Sequence, residues 1–174
     1  MRIIGVVGWH ASGKTTLVCR LIPLLAERGL RVSTLKHAHH GFDVDQPGKD
    51  SWQHRAAGAA EVLVASANRW ALIHELRGAP EPTLAGLLAH MGPADLVVVE
   101  GFKREPHPKI ETYRRANGME PLFPADPAII AVASDTPFPE AGVPVRDLDD
   151  LGGIAEVVLA QALPLTSIRW HGTG

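Results

Sequence analysis

The sequence predicts an α/β fold in which a doubly wound, mostly parallel β-sheet carries helices on both faces. Two observations predict it. Short Val- and Ile-rich runs alternate with helix-length segments, and a glycine-rich loop pattern stands between the first run and the first helix. The runs are nearly continuous in apolar residues, as expected for parallel strands covered on both sides. With 174 residues, 45% hydrophobic and 21% charged, the chain fits one domain, expected over 1–174, with enough apolar surface for a core.

The first strand is expected over Ile3 to Val7 and the first helix over Leu17 to Arg28, where Pro23 predicts a kink or an early stop because it removes a backbone hydrogen bond. Arg31 to Leu35, Leu96 to Val99 and Ile129 to Ala133 read as further strands. Leu151 to Leu163 reads as the last helix, with Leu151, Ile154, Ala155, Val158, Leu159 and Ala162 at helical spacing and Asp149, Asp150, Glu156 and Gln161 on the polar side. Three segments break the rhythm and read as loops: His37 to Asp50, Lys103 to Pro108, and Glu120 to Pro127 with its three prolines. A short helix follows from Trp52 to Gly58, with Asp50 or Ser51 as its cap. Residues 165–174 read as a flexible tail.

A formal charge of -2 gives no overall basic field, which argues against coating nucleic acid or anionic membrane. No stretch approaches the roughly 20 apolar residues of a membrane span, and Ile3 to Val7 is too short for a signal peptide. The single cysteine, Cys19, excludes an internal disulfide and reads as helix packing, so a reducing, cytoplasmic setting is expected.

The strongest chemical signal is Gly8-Trp9-His10-Ala11-Ser12-Gly13-Lys14-Thr15, a GxxxxGK pattern followed by Thr, between a strand and a helix. Gly8 and Gly13 let successive N–H groups turn inward around phosphate oxygens, and the helix adds the positive end of its dipole. Lys14 supplies a mobile charge to the outer phosphates and Thr15 a hydroxyl to Mg²⁺, with Ser12 and Thr16 in the same cradle. Trp9 and His10 stand at variable positions of the pattern. The fold expectation therefore narrows to a P-loop NTPase-like sheet.

Asp95 to Gly101 is a buried-strand pattern ending in a carboxylate, like a Walker B strand. Ligands in such sheets sit beyond the carboxyl ends of the strands, which brings Glu100 to the phosphate crevice as a candidate for holding Mg²⁺ or positioning water. A solvated strand-end carboxylate is the plain alternative. Asp95, at the other end, reads as serving structure or solubility. The loop from Lys36 through His37, His39, His40, Asp43, Asp45 and Lys49 to Asp50 starts at the same sheet edge. Its ligand spacing is irregular for zinc, so contact with phosphate or substrate stands beside a transition-metal site and a solvated loop. Lys36 and Lys49 join Lys14 in a local cationic pocket. Asp50 is either a helix cap or a second Mg²⁺ carboxylate.

Three blocks carry a family resemblance: GWHASGKTTL from Gly8, LKHAHHGFDVDQPGKDS from Leu35 continuing through His54, Arg55 and Ala57 to Ala59, and DLVVVEGFK from Asp95. With these the chain resembles the molybdopterin-guanine dinucleotide biosynthesis protein B (MobB) family across nearly its whole length. The resemblance implies a GTP-binding, weakly hydrolysing homodimer that assists attachment of GMP to molybdopterin beside a separate, MobA-type guanylyltransferase. More distantly the layout is similar to P-loop synthetases such as dethiobiotin synthetase, whose Mg²⁺ ligands map onto Thr15, Asp50 and Glu100.

No NKxD sequence is present to read guanine. Asp135, at the end of the Ile129 strand, either accepts from guanine N1 and N2 or opens the turn into Thr136-Pro137. No arginine finger is identifiable, so intrinsic hydrolysis is expected near 10⁻⁴ to 10⁻³ per second, an order-of-magnitude figure from comparable P-loop proteins. Lys103 and Arg104 are candidates for substrate or partner contact, or belong to a solvated loop. Two other readings stand beside the GTP-binding one. One is a small-molecule kinase with Asp43 or Asp45 orienting an acceptor hydroxyl. The other is a nucleotide-switched metal-delivery protein using His37, His39, His40 and His54.

Overall fold

The computed structural model describes residues 1–38 and 41–170. His39, His40 and residues 171–174 of the expected tail lie outside them. The chain divides into two compact units: residues 1–37 with those from 88 onward, and Ala38–Leu87.

The first unit is built on a seven-stranded sheet of β1 (Arg2–Val7), β2 (Val32–Lys36), β5 (Leu96–Glu100), β6 (Lys109–Tyr113), β7 (Ile129–Ser134), β8 (Val145–Asp147) and β9 (Leu163–Pro164). Its order is β2-β5-β1-β6-β7-β8, every neighbouring pair parallel. β6 joins β1 only from Gly5 upward, and the lower β1 edge at Arg2 and Ile3 is taken by antiparallel β9. Ile3 to Val7 and Leu96 to Val99 are buried, so both faces of these central strands are covered, as their unbroken apolar runs require.

Helix α1 (Lys14–Glu27) buries Leu17, Val18, Leu21 and Leu25, one helical stripe, against Ile4, Val6, Leu96 and Val98. α4 (Leu151–Gln161) adds Ile154, Ala155 and Val158 to the same core. Each such side chain contributes roughly 1.5–3 kcal/mol by leaving water. Asp150 caps α4 by accepting from Gly153 N–H at 2.9 Å. The early stop that was one of the two outcomes expected at Pro23 does not occur, and the helix continues to Glu27. Pro23 and Cys19 both lie on the exposed side, so the Cys19 carbonyl that loses its donor is left to water. The segment after Leu163 holds a 3₁₀ turn, Leu165–Ser167, with Leu165 N–H bonded to Met1 O.

The second unit contains α2 (Asp50–Ala56) and an antiparallel hairpin of β3 (Glu61–Ala65) and β4 (Trp70–His74); α3 (Leu84–Ala89) runs across the unit boundary. Asp50 is the first helical residue of α2 rather than its cap. The cap is Lys49, whose extended backbone places its carbonyl on Gln53 N–H, and Asp50 instead sets a negative charge in the first turn. Arg55 organises this unit. It bonds Asp43, Asp45 and Glu75 at 2.8, 3.2 and 2.7 Å, so Asp43 and Asp45 are engaged by a buried-stem guanidinium. The hydrogen bonds from Arg55 hold the Asp43 carboxyl below the usual carboxylate range.

Among the described residues no helix is long and apolar enough to cross a membrane.

Candidate functional site: a phosphate loop with a Thr–Glu pair

β1 ends at Val7 in the middle of the sheet, with β5 on one side and β6 on the other, which is the switch point where α/β sheets bind ligands. The loop that follows is shaped by two glycines. Gly8 has φ +151°, and a Cβ there would strike the Thr112 carbonyl and come within 2.5 Å of Ser12 Oγ. Gly13 is left-handed at φ 95° and forms the N-cap of α1, so the loop turns directly into the helix. Ala11 also takes a positive φ of 57°, a strained position for a residue with a Cβ.

The loop is anchored from β6. Ser12 Oγ and Thr112 Oγ1 are 2.7 Å apart in the interior, and Thr112 Oγ1 donates to Val7 O. The Ser12 hydroxyl is therefore committed to holding the loop. Trp9 Nε1 donates to Glu120 O at 2.7 Å and Asn117 Nδ2 to His10 O at 3.0 Å. Lys14 Nζ bends back onto the Gly8 and Trp9 carbonyls at 3.1 and 2.7 Å. Thr16 lies exposed in the first turn of α1.

On the β5 side, Thr15 Oγ1 donates to Glu100 Oε1 at 2.7 Å, and Lys36 Nζ lies 3.1 Å from that oxygen and 3.2 Å from Thr15 Oγ1. Thr15, Lys36 and Glu100, each a candidate on its own in the sequence, thus meet at one point, and Asp50, the third member of the expected Mg²⁺ set, belongs to α2. Gly101, at φ +95°, turns the chain away at once, and a Cβ there would meet His37 Cβ at 2.9 Å. Phe102 follows at φ 52° and stacks on the His37 ring with centroids 4.6 Å apart. Lys103 Nζ sits 4.3 Å above the Trp9 ring.

Positive charge outweighs negative here. Burial holds the Lys14 ammonium below the ordinary lysine value; Lys103 and Lys36 add to that drop and Glu100 opposes it. Burial also lowers Lys103. Crowded, partly dehydrated cations around a nest of N–H groups make a site for a polyanion. Two hard oxygen donors, Thr15 Oγ1 and Glu100 Oε1, suit Mg²⁺, and the Lys36 ammonium already contacts both.

Further along the sheet edge, Asp135 Oδ1 accepts from Arg115 N–H at 3.0 Å and from Thr136 Oγ1. It borders a cavity of about 430 Å³ lined also by Ser134, Phe138, Arg146 and Asp147. At the other end of β5, Asp95 Oδ2 accepts from Arg31 N–H at 2.7 Å, the structural one of its two expected roles.

A family model described as "Molybdopterin guanine dinucleotide synthesis protein B" matches residues 3–135. The chain belongs to the MobB family. It is 43% identical over 160 residues to the molybdopterin-guanine dinucleotide biosynthesis adapter protein of Escherichia coli, covering 90% of this chain and 91% of that protein. The corresponding protein of Haemophilus influenzae is 40% identical over 90% of this chain and 86% of its own. The crystal structure of Bacillus subtilis MobB superposes with a TM-score of 0.72 at 28% identity, covering 93% of this chain and 98% of that one. The P-loop NTPase-like α/β fold read from the sequence is thus the MobB fold.

Within this MobB-family chain several residues near the site carried no sequence signal. Lys109, 1% exposed, pairs with Asp126 at 2.8 Å and donates to the Lys103 and Glu105 carbonyls, fixing the loop that carries Lys103. Glu111 accepts from Leu122 and Phe123 N–H groups, fixing the proline-rich loop; burial raises its pKa despite these bonds. Arg114 leaves β6 beside Gly13, where a side chain at position 13 would meet Nε at 3.4 Å and Nη2 at 3.6 Å. Asp50 and His54 belong to α2 in the second unit. Among the described residues no three His, Cys, Asp or Glu side chains converge on a metal position, and two of the four histidines of the metal-delivery reading, His39 and His40, lie outside those residues.

Proposed function

We propose that this chain is a GTP-binding adapter that assists attachment of GMP to molybdopterin, working beside a separate MobA-type guanylyltransferase in the cytoplasm. The observation that carries the nucleotide reading is the loop itself. A left-handed Gly13 opens α1, Lys14 Nζ rests on loop carbonyls, and Thr15 meets Glu100 at 2.7 Å. In this reading Lys14 swings from the Gly8 and Trp9 carbonyls to the outer phosphates, while Gly13, Thr15 and Thr16 N–H groups face the inner ones. The adapter role follows from the family and from its relatives, which are molybdopterin-guanine dinucleotide biosynthesis adapter proteins.

Thr15 and Glu100 would hold Mg²⁺, which supplies charge neutralisation to the phosphates when bound. With those two oxygens on the ion, the Lys36 ammonium would pair with phosphate instead. The place of Asp50 as a further ligand rests on the resemblance alone. Asp135 is assigned to the guanine N1 and N2 donors, with Oδ2 as the accepting atom, since the two described hydrogen bonds both use Oδ1. Hydrolysis is slow. We also assign a homodimer, formed through the hairpin face where Leu63 pairs with Leu72 and Ala65 with Trp70; Leu63, Trp70 and Leu72 are 62%, 66% and 42% exposed.

The test is reconstitution of GMP transfer to molybdopterin with purified guanylyltransferase, with and without this chain. The proposal expects stimulation by the wild-type chain and its loss in Lys14→Ala. Equal stimulation by both would contradict a nucleotide-dependent role.

A further inference from the structure

We propose that Arg114 is a phosphate-binding residue of the loop, gripping the nucleotide from the β6 side while Lys36 and Glu100 act from the β5 side. This rests on the reading that the loop binds a nucleoside di- or triphosphate. Arg114 stands one residue beyond β6, the strand that flanks β1 opposite β5. Its guanidinium packs against Gly13, the last loop residue before Lys14, with Nε, Nη2 and Cζ at 3.4, 3.6 and 3.9 Å from where a Cβ would stand. Gly13 is also the N-cap of a 14-residue helix. A guanidinium there faces the positive end of the dipole and the nearby Lys14, a placement that electrostatics disfavours unless an anion lies between them.

Among the described residues no protein anion does so. The Arg114 guanidinium forms no hydrogen bond or ion pair with any described residue, although it is only partly exposed. Five N–H donors in a planar fork are therefore left for a ligand at a loop shaped for phosphate, and that fork matches phosphate oxygens in pairs. Its position is fixed rather than wandering. Arg115 N–H is bonded to Asp135, Asn117 Nδ2 to His10 O, and Gly118 closes the turn at φ 62°. The same turn thus ties the phosphate loop to the edge assigned to the base, so Arg114 is carried at a set height between the two. In this geometry it supplies from the protein's own chain a cation of the kind no sequence motif announced.

The test compares wild type, Arg114→Ala, Arg114→Gln and Arg114→Lys by calorimetric titration with GTP·Mg²⁺, with GDP·Mg²⁺ and with pyrophosphate. Arg28→Ala, an exposed residue at the far end of α1, serves as the control, and thermal unfolding without ligand checks each fold. Arg114→Ala is expected to weaken all three ligands by about ten- to a hundredfold, the usual effect of losing a charged hydrogen bond. Arg114→Lys should recover part of the loss, Arg114→Gln little, and Arg28→Ala should match wild type. If Arg114→Ala unfolds, Arg114→Gln gives the same reading. Affinities within about twofold of wild type for all three ligands would overturn the proposal, as would a loss for nucleotides with pyrophosphate unaffected. Failure of the wild type to bind any of them would overturn the loop reading itself.

Discussion

His107 makes the stability of this chain acid-sensitive, and the size of the effect follows from its surroundings. The ring is 0% exposed, neither nitrogen has a hydrogen-bond partner among the described residues, and Nε2 lies so close to Gly5 that an added Cβ would sit 2.6 Å from it. Burial, with positive Lys109 adding and Asp126 opposing, lowers its pKa from 6.5 to about 4. A histidine depressed in the folded state stabilises it fully above the unfolded pKa and loses that contribution as pH falls towards the folded one. Between the two values the unfolded chain binds more protons. Linkage then gives a loss of about 2 kcal/mol on going from near pH 7.5 to near pH 5, approaching about 3 kcal/mol near pH 4. Glu111 titrates in the opposite sense, its raised pKa favouring the folded state as pH falls through the range just above the usual carboxylate value. The assay therefore subtracts it. Urea unfolding of wild type and His107→Leu, a substitution of similar volume with no titrating group, is followed by circular dichroism near pH 7.5, 6 and 5. The gap between the two chains should move by about 2 kcal/mol in favour of the variant as pH falls. Parallel curves, with a gap constant within about 0.5 kcal/mol, would refute the argument.

Gly8→Ala forces a Cβ into the Thr112 carbonyl at φ +151°, so it should cost about 1–3 kcal/mol in urea unfolding and remove nucleotide binding in the same titrations. Lys109→Met strands Asp126 and two carbonyls around a buried position and should cost about 3–5 kcal/mol by the same unfolding measurement. Arg55→Ala leaves Asp43, Asp45 and Glu75 without their shared partner; amide exchange should accelerate from Asp43 to Glu75 and stay unchanged in β1 and β5. In that variant the Asp43 carboxyl should titrate back in the usual range by NMR.

The strands legible in the sequence are those with continuous apolar runs: β1, β2, β5 and β7 all fall within a residue or two of their expected bounds. β6 was not legible, because Lys109 and Glu111 alternate with Ile110 and Thr112 and look like a polar segment. Their charges are spent on the loops to either side. The β3–β4 hairpin escaped because one face, with Leu63, Trp70 and Leu72, is apolar yet exposed, which blurs the alternation of a half-buried strand. Pro23 does not end α1, because the Cys19 carbonyl that it leaves without a donor faces water.

At the site, the loop and Glu100 were legible since a motif fixes the spacing of one and a strand end marks the other. The end of the second apolar run puts Lys36 at the same sheet edge, and the structure adds that it contacts the Thr15 and Glu100 oxygens. Ser12 turned out to spend its hydroxyl on Thr112, a contact across 100 residues that no local pattern encodes. Arg114 is hidden for the same reason. Only the parallel pairing of β1 with β6 brings it to Gly13.

The proposed function stands or falls on whether this loop holds the phosphates of GTP. Calorimetric titration of the purified chain with GTP·Mg²⁺ and with ATP·Mg²⁺, repeated on Lys14→Ala, tests it most directly. Saturable GTP binding at least about tenfold tighter than ATP, and no measurable binding by Lys14→Ala, are expected. Undiminished GTP affinity in Lys14→Ala, or no binding of either nucleotide by the wild type at millimolar concentration, would contradict it.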